Sequence, residues 1–522
     1  MGSNMKIQTP PLTPPLEGRG MPTEFIPQNK PQGTPLPCRG GAGVGSVLLS
    51  IILFLTFFTA CKQEDDRTEI VPARHWVEKT VAVVAPIGDA ATKTRLERTA
   101  DWFLQNFREA QMHDTLAIDL RIEWHDELSE DLTALSETLA ADSTVIAVIG
   151  PFSNEGVAAF APACMKTQKP LIAPTATSED IIRRYAVTTS GQSTNQSPFL
   201  WSLTETDVNF AGLLMSGFVT ESQYRNNQYK EFADDLGHHM CAVFSPDDAY
   251  GMTFNYWAPF YAQQDGIELQ RNLQYGSTAE LLAQLSDYRP VMRQSPLLQS
   301  AIFCAVETGQ QMYDVVRANR KALLDDPELA DMMPSTDPDD PANDEYWQLF
   351  NASYQTYFAF SGLSEEGLAA LGQRGPKILQ GTEGFSPYAD PGTGFELSYK
   401  ARFSQLPTFA ECKFYDALML AAFAACYVEH NPTAEVNSKL STLHSQLNDA
   451  VVTITSGTAS APMGGSAWNA TAMEIYLSAM ERGQLLHFIG ASGEISFDRD
   501  TYTAATTTTY VRWQIMDGQI LH

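Results

Sequence analysis

The chain reads as an α/β protein of two similar halves, each a mostly parallel sheet flanked by helices, and three observations predict it. Short apolar runs of strand length, TVIAVIG at 144–150 and AIFCAVETG at 301–309 among them, alternate with stretches whose apolar residues recur every three to four positions. Each run ends in small or polar turn residues, as a parallel sheet needs where strands pass into helices. The pattern then occurs twice, over 80–203 and again from 241. No flexible linker intervenes, so the halves should pack together with several chain crossings. A chain of 522 residues can bury two cores of ordinary size, and 44% apolar with 18% charged residues is a globular composition.

Residues 1–38 are rich in Pro and Gly (TPPLTPPLEGRG, PQGTPLPCRGG) and carry no helix or strand period. They are expected to be a disordered leader, or upstream sequence translated from a misplaced start. Residues 39–60 set Arg39 before VGSVLLSIILFLTFFTA, an apolar run that ends in small residues directly before Cys61. Length and flanks make this a signal peptide; a single spanning helix, the alternative, needs about twenty apolar residues. Residues 61–78 form a tether whose KQEDDRTE is too charged to pack.

From residue 80 the βα repetition begins. TVAVVAPI is a buried strand with Gly88-Asp89 as its turn, and Leu96, Ala100, Phe103, Leu104 and Phe107 share one helix face. IDLRIEW (118–124) alternates as a strand, and Leu132, Leu135 and Leu139 mark the next helix. Val145 to Ile149 is an unbroken apolar strand, buried on both faces. Gly150-Pro151 ends it, Ser153 or Asn154 caps the following helix, and Glu155 lies in that helix's first turn. A short strand, 171–173, gives way to Pro174-Thr175-Ala176-Thr177. A polar loop (TTSGQSTNQS), the strand 199–203 and a helix over 207–220 follow. CAVFSPDDAYG is strand then turn, 266–269 starts another strand, LLAQLSDYRPVM is helical, and 301–309 is again strand and turn. The Asp- and Pro-rich 324–346 is expected as an exposed excursion. Residues 357–372 and 377–387 read as strand-rich, 399–427 as one long helical region, and SGEISFD with YVRWQIMDGQI as a closing β pair.

Acidic residues outnumber basic ones 62 to 34, a net charge of −28 that opposes binding to nucleic acid or anionic lipid surfaces. None of the seven Cys forms a CxxC pair, which indicates neither a zinc site nor a redox motif. Cys412 and Cys426 stand roughly 21 Å apart on one helix, too far to bridge. The later five read as small buried residues, with a Cys241–Cys304 disulfide as the exception to watch. His238-His239 does not place both rings on one metal, and no metal or cofactor is expected. GxSxG, HExxH and Walker sequences are absent, so an enzyme is not expected.

Six segments, taken in order, resemble the type I periplasmic binding proteins, specifically the branched-chain amino-acid (Leu/Ile/Val-type) receptors of ABC importers. They are VIGPFSNEGVAAFAPACMKTQKPLIAPTATSED, CAVFSPDDAYGMTF, AIFCAVETGQQMYDVVRA, LQGTEGFSPYADPGTGFELSYKARF, FAECKFYDALMLAAFAA, and FIGASGEISFDRD followed by YVRWQIMDG. The resemblance spans residues 79–520. It implies two lobes, 79–204 plus 385–503 and 205–384 plus 504–522, joined by crossings near 202–207, 381–386 and 501–509. The FTAC ending resembles a bacterial lipoprotein signal, with Cys61 as the acylated first residue, although Phe58 replaces the usual Leu. The acidic run behind it resembles a Bacteroidetes surface-export signal, or is a solvated spacer.

By the resemblance, an amino-acid carboxylate would be held by the turns at Ser153-Asn154 and Ala176-Thr177. A second-lobe aromatic or acidic residue, Tyr250 or Glu307, would complete the pocket, and Asp207 would meet an ammonium. Read from the residues alone, Asp207 is equally a helix cap and Asp247 and Asp248 shape a turn. Tyr250 is equally a packing aromatic, and Glu307 either a solvated turn residue or the partner of an amine. The expected protein is a lipid-anchored receptor of the cell envelope, at the periplasmic or outer-membrane surface. It would capture a small polar ligand, an amino acid or amide-like solute, for an ABC permease. The alternative is an envelope sensor or interaction lipoprotein of the same fold that takes no part in transport.

Overall fold

The structure, a computed structural model, describes residues 75–521 except 113, 115, 190–191, 194–196, 218–239, 294–299, 348–355, 361–364, 432–439, 458–467, 486 and 499–502. The leader, the signal-like run, Cys61 and His238-His239 lie outside the described residues. The first strand starts at His75, inside the stretch expected as tether.

The first sheet is built from β1 (His75–Ala85), β2 (Leu116–Asp126), β3 (Val145–Ile149), β4 (Leu171–Ala173) and β5 (Leu200–Ser202). All pair in parallel, in the order β2-β1-β3-β4-β5. The helices between them are α1 (Ala90–Ala110), α2 (Leu132–Ala141), α3 (Asn154–Thr167) and α4 (Glu179–Arg184). Short polar side chains start three of these helices. Asp89 accepts from the Thr92 amide, Asp131 from Thr133 and Ala134, and Ser153 from Gly156, each satisfying amides that a helix start leaves open. Both faces of the sheet are covered: Val81, Val83 and Ala85 pack with Phe103 and Phe107, while Ala82 and Val84 pack with Val157 and Phe160. That is why β1 and β3 read as continuous apolar runs.

Helix α5 (207–217) opens the second half. Its strands are β6 (Met240–Pro246), β7 (Glu268–Tyr275), β8 (Ser300–Val306), β9 (Thr356–Phe360) and β10 (Glu383–Tyr388). Its helices include α6 (Ala249–Asp265), α7 (Thr278–Arg293) and α8 (Gly309–Leu324). The chain returns to the first half as α9 (Phe395–Phe403), α10 (Phe409–His430), α11 (Leu440–Thr455) and α12 (Ala470–Glu481), then adds β11 (Thr509–Met516) and β12 (Gln519–Leu521) to the second sheet. The order there is β12-β11-β10-β9-β8-β6-β7, with β11 and β12 antiparallel and the rest parallel.

Helix α10 organises the first half. Every residue from Glu411 to Cys426 is buried, so the helix is covered all round. A capping box of Thr408 and Glu411 starts it, and Arg95 holds Glu411 at 2.6 Å. Trp102, Phe395 and Tyr399 pack with its Tyr415 in stacked, tilted or edge-on pairs, at 4.9–6.0 Å between ring centroids.

Several expectations need correction. The second crossing does not fall at 381–386, because the backbone through Tyr388 is still β10, paired with β9 and β11. Phe385–Tyr388 therefore belongs to the second sheet. Among the described residues of the strand-rich stretch at 357–372 only those of β9 are strand; Glu365–Ala370 is a helical turn that buries Leu368. The long helix splits into α9 and α10. The excursion is anchored at wholly buried Asn343, which bonds to Ser335 and to the Asp337 carbonyl. In the closing segment, Glu494 pairs with Ile489 while β11 pairs with β10 and β12. Cys241 and Cys304 are free, because the β6–β8 register aligns Cys241 with Ala301 and Cys304 with Phe244, sending the two thiols to opposite faces.

Candidate functional site

Strands β3 and β4 end side by side, and their turns form the first wall of the candidate site. The turn after β3 needs a glycine: Gly150 has φ +91°, and a Cβ there would lie 2.0 Å from the Val84 carbonyl oxygen. The turn then offers the amides of Phe152 and Ser153, the kind of donors that bind an anion at a helix start. The chain fills them itself. Glu127, at the end of β2, accepts from the Phe152 amide at 2.8 Å and the Ser153 amide at 2.9 Å, and also from the Ser153 hydroxyl. Gly156 leaves room for it, since a Cβ there would come within 2.7 Å of Glu127 Oε1.

The second pair of donors is taken in the same way. Asn154, 3% exposed, accepts through Oδ1 from the amides of Thr177 at 2.8 Å and Ser178 at 2.9 Å. The Thr177 hydroxyl donates to Asp207 Oδ2 at 2.6 Å, and the Asp207 amide donates back to the Thr177 carbonyl at 3.1 Å. Ala176 is buried, and its carbonyl accepts from the Ser202 hydroxyl at 2.5 Å. Of the five expected residues here, Ser153 bonds to Glu127, Asn154, Thr177 and Asp207 are linked to one another, and Ala176 bonds to Ser202. Asp207, 2% exposed, caps no amide of α5 among the described residues.

The second wall comes from the turns after β6 and β8. Asp248 caps α6 by accepting from the Gly251 amide at 2.7 Å. Glu155 of α3 reaches across to the Ala249 amide at 3.3 Å, and Glu179 of α4 accepts from the Trp257 indole. These two bonds close the first wall onto α6. Tyr250 takes the packing alternative: it is 1% exposed, donates to the Ala359 carbonyl at 3.2 Å and meets Phe254 edge-on. Glu307 is half-buried at the end of β8, its own amide donating to Gln311.

The groups where the two walls meet are acidic. Burial pushes the Asp207 carboxyl up to about 8, with the Thr177 hydroxyl opposing and the Asp248 charge adding to the rise. Burial likewise raises Glu307 to about 8, reinforced by Asp248, Glu155 and Asp207. Asp248 is raised as well, first by burial and then by Glu155 and Asp247, against its bond to Gly251. Glu307 thus lies in the field of three carboxylates, Asp248, Glu155 and Asp207. Such a set favours a cation and repels an acid group. No group of three or more His, Cys, Asp or Glu among the described residues is arranged to hold a metal ion.

Glu127 is the residue that the sequence did not single out. It sits in HDELSEDL among three other acids, and nothing local marks it as the one that turns inward.

No family model matches the chain, and no curated protein matches it in sequence. Solved structures do match it. One is the branched-chain amino acid transporter substrate-binding protein of Streptococcus pneumoniae in complex with isoleucine, 15% identical, covering 85% of this chain and 98% of its own at a TM-score of 0.53. A solute-binding protein of an ABC transporter from Rhodopseudomonas palustris, in complex with benzoate, is 12% identical over 85% and 95% at 0.52. A leucine-binding protein of Thermotoga maritima is 16% identical over 85% and 97% at 0.50. The fold is that of the type I periplasmic binding proteins. In open α/β sheets generally, the carboxyl edges of the strands are where ligands sit. Here those edges carry the latched turns of one half and the carboxylates of the other.

Proposed function

We propose that the protein is a lipid-anchored solute-binding receptor of the cell envelope, held by an acylated Cys61, that captures a small amine-bearing solute between its halves for ABC-type uptake. The observation that carries this reading is the facing of Glu155 and Asp207 with Asp248 and Glu307 where the two sheet edges meet. An ammonium placed there touches both halves, and only contacts with both favour the closed arrangement over the open one. The expected clamp on a ligand carboxylate has no support in the donor set, because the amides of Phe152, Ser153, Thr177 and Ser178 are already bonded within the chain. Amines and cationic amino acids therefore come before leucine or benzoate as ligands.

The test is thermal unfolding and calorimetry of the detergent-purified full chain with butane-1,4-diamine, lysine, leucine and benzoate. A ligand at a hundredfold its Kd stabilises by about 2.7 kcal/mol. The reading expects that response from the diamine or lysine. The same engaged donors favour a second reading, an envelope sensor or interaction lipoprotein without transport. Flat curves with the diamine, lysine and leucine decide for it.

A further inference from the structure

The second half also holds a cavity of about 480 Å³ away from the cleft. Its wall comes from the last turns of α8, from residues 373–380 before β10, and from the tight turn between β11 and β12. Strand β10 starts and β11 ends there, so this is the edge of the sheet opposite the one that carries Asp248 and Glu307. Its volume lies within the usual range for a small-molecule site.

Arg320 makes this cavity unlike a packing defect. The side chain is 4% exposed and lines the cavity. Its Nη2 donates to the Ile378 carbonyl at 2.6 Å, and its Cζ lies 5.1 Å from the Trp347 ring centroid. Nε and Nη1 have no hydrogen-bond partner among the described residues. Two acids share the lining: Asp344, both of whose oxygens Arg374 holds at 2.8 and 3.0 Å, and Asp517, whose amide donates to Gln380; Arg317 holds nearby Asp339 at 2.7 Å. A buried guanidinium with two unmet nitrogens is costly unless something supplies acceptors. Exposed Lys377 adds a second positive charge at the rim.

We propose that this cavity is a second ligand site, separate from the cleft, for a small carboxylate whose acid group is held by Arg320 and Lys377 with its apolar body against Trp347. The guanidinium supplies directional donors to a carboxylate, and the indole supplies a flat apolar surface. A phosphate would satisfy the same donors but would leave the indole unused.

Calorimetry of the detergent-purified full chain with benzoate, acetate and inorganic phosphate tests the proposal. Benzoate should bind one to one and tighter than acetate or phosphate. Arg320→Met should weaken benzoate at least tenfold. Lys377→Glu changes an exposed side chain, so it keeps the fold and should weaken benzoate about threefold. No heat with benzoate up to about 10 mM, a regime of very weak affinity, overturns the proposal. So does phosphate binding tighter than benzoate, or a benzoate isotherm that both variants leave unchanged.

Discussion

The two walls of the cleft carry similar residue types in opposite states. In the first half, the donors of the turns after β3 and β4 meet acceptors from within the chain: Glu127 for one turn, Asn154 and Asp207 for the other. In the second half, Glu307 is a half-buried carboxyl to which the described residues bring three neighbouring acids. A buried polar group that is fully bonded fixes a shape, whereas one that is not is held in reserve for something else. The first wall is thus bonded as scaffold, and the second keeps carboxyl groups in one another's field.

Substitutions should separate the two. Glu127→Ala leaves the Phe152 and Ser153 amides without their acceptor, and the loss should be the largest, about 3 kcal/mol in urea unfolding. An unchanged urea midpoint would remove Glu127 from the scaffold. Asn154→Ala removes the acceptor of two other amides and should cost about 2 kcal/mol by the same measurement. Asn154→Asp, which keeps an acceptor, should recover part of that loss.

The pH dependence comes next. Asp207 and Glu307 both have folded values near 8, above their ordinary 3.8 and 4.5, so between about 4 and 8 the folded chain binds more protons than the unfolded one. Stability should therefore fall as pH rises from 5 to 8. Affinity for an amine should rise over the same range, with protons released on binding. Urea midpoints and proton-linked calorimetry read both, and a stability that climbs with pH in the Asp207→Asn and wild-type chains alike would contradict the assignment. The smallest effect is expected from Glu307→Gln. Removing a carboxyl that burial and three acids already disfavour should leave stability at neutral pH unchanged, or raise it by up to about 1 kcal/mol, while weakening any amine. A clear destabilisation would mean that Glu307 is scaffold after all.

Much of the fold was legible because its signals are local. The runs at 81–85, 145–149 and 301–306 announce strands buried on both faces, and Asp89, Ser153, Asp248 and Thr308 mark helix starts within three residues of the amides they bind. The candidate residues were named from their places at strand ends and crossings. Tyr250 and Glu127 show where that reasoning stops: position at a turn does not say whether a side chain points into a core, into a gap or onto a neighbouring turn.

The sequence by itself determined the alternation of strand and helix, the doubling into two halves and the acidic balance, since each follows from residue type and spacing over a few turns of chain. The tertiary structure alone decided the sheet order, the pairing of Asn154 with residues 23 and 24 positions away, and the bond from Glu155 to an amide 94 positions away. Such pairings depend on which strands lie side by side. A hydrogen bond needs its atoms about 3 Å apart, and only the folded chain brings residues so distant in sequence that close.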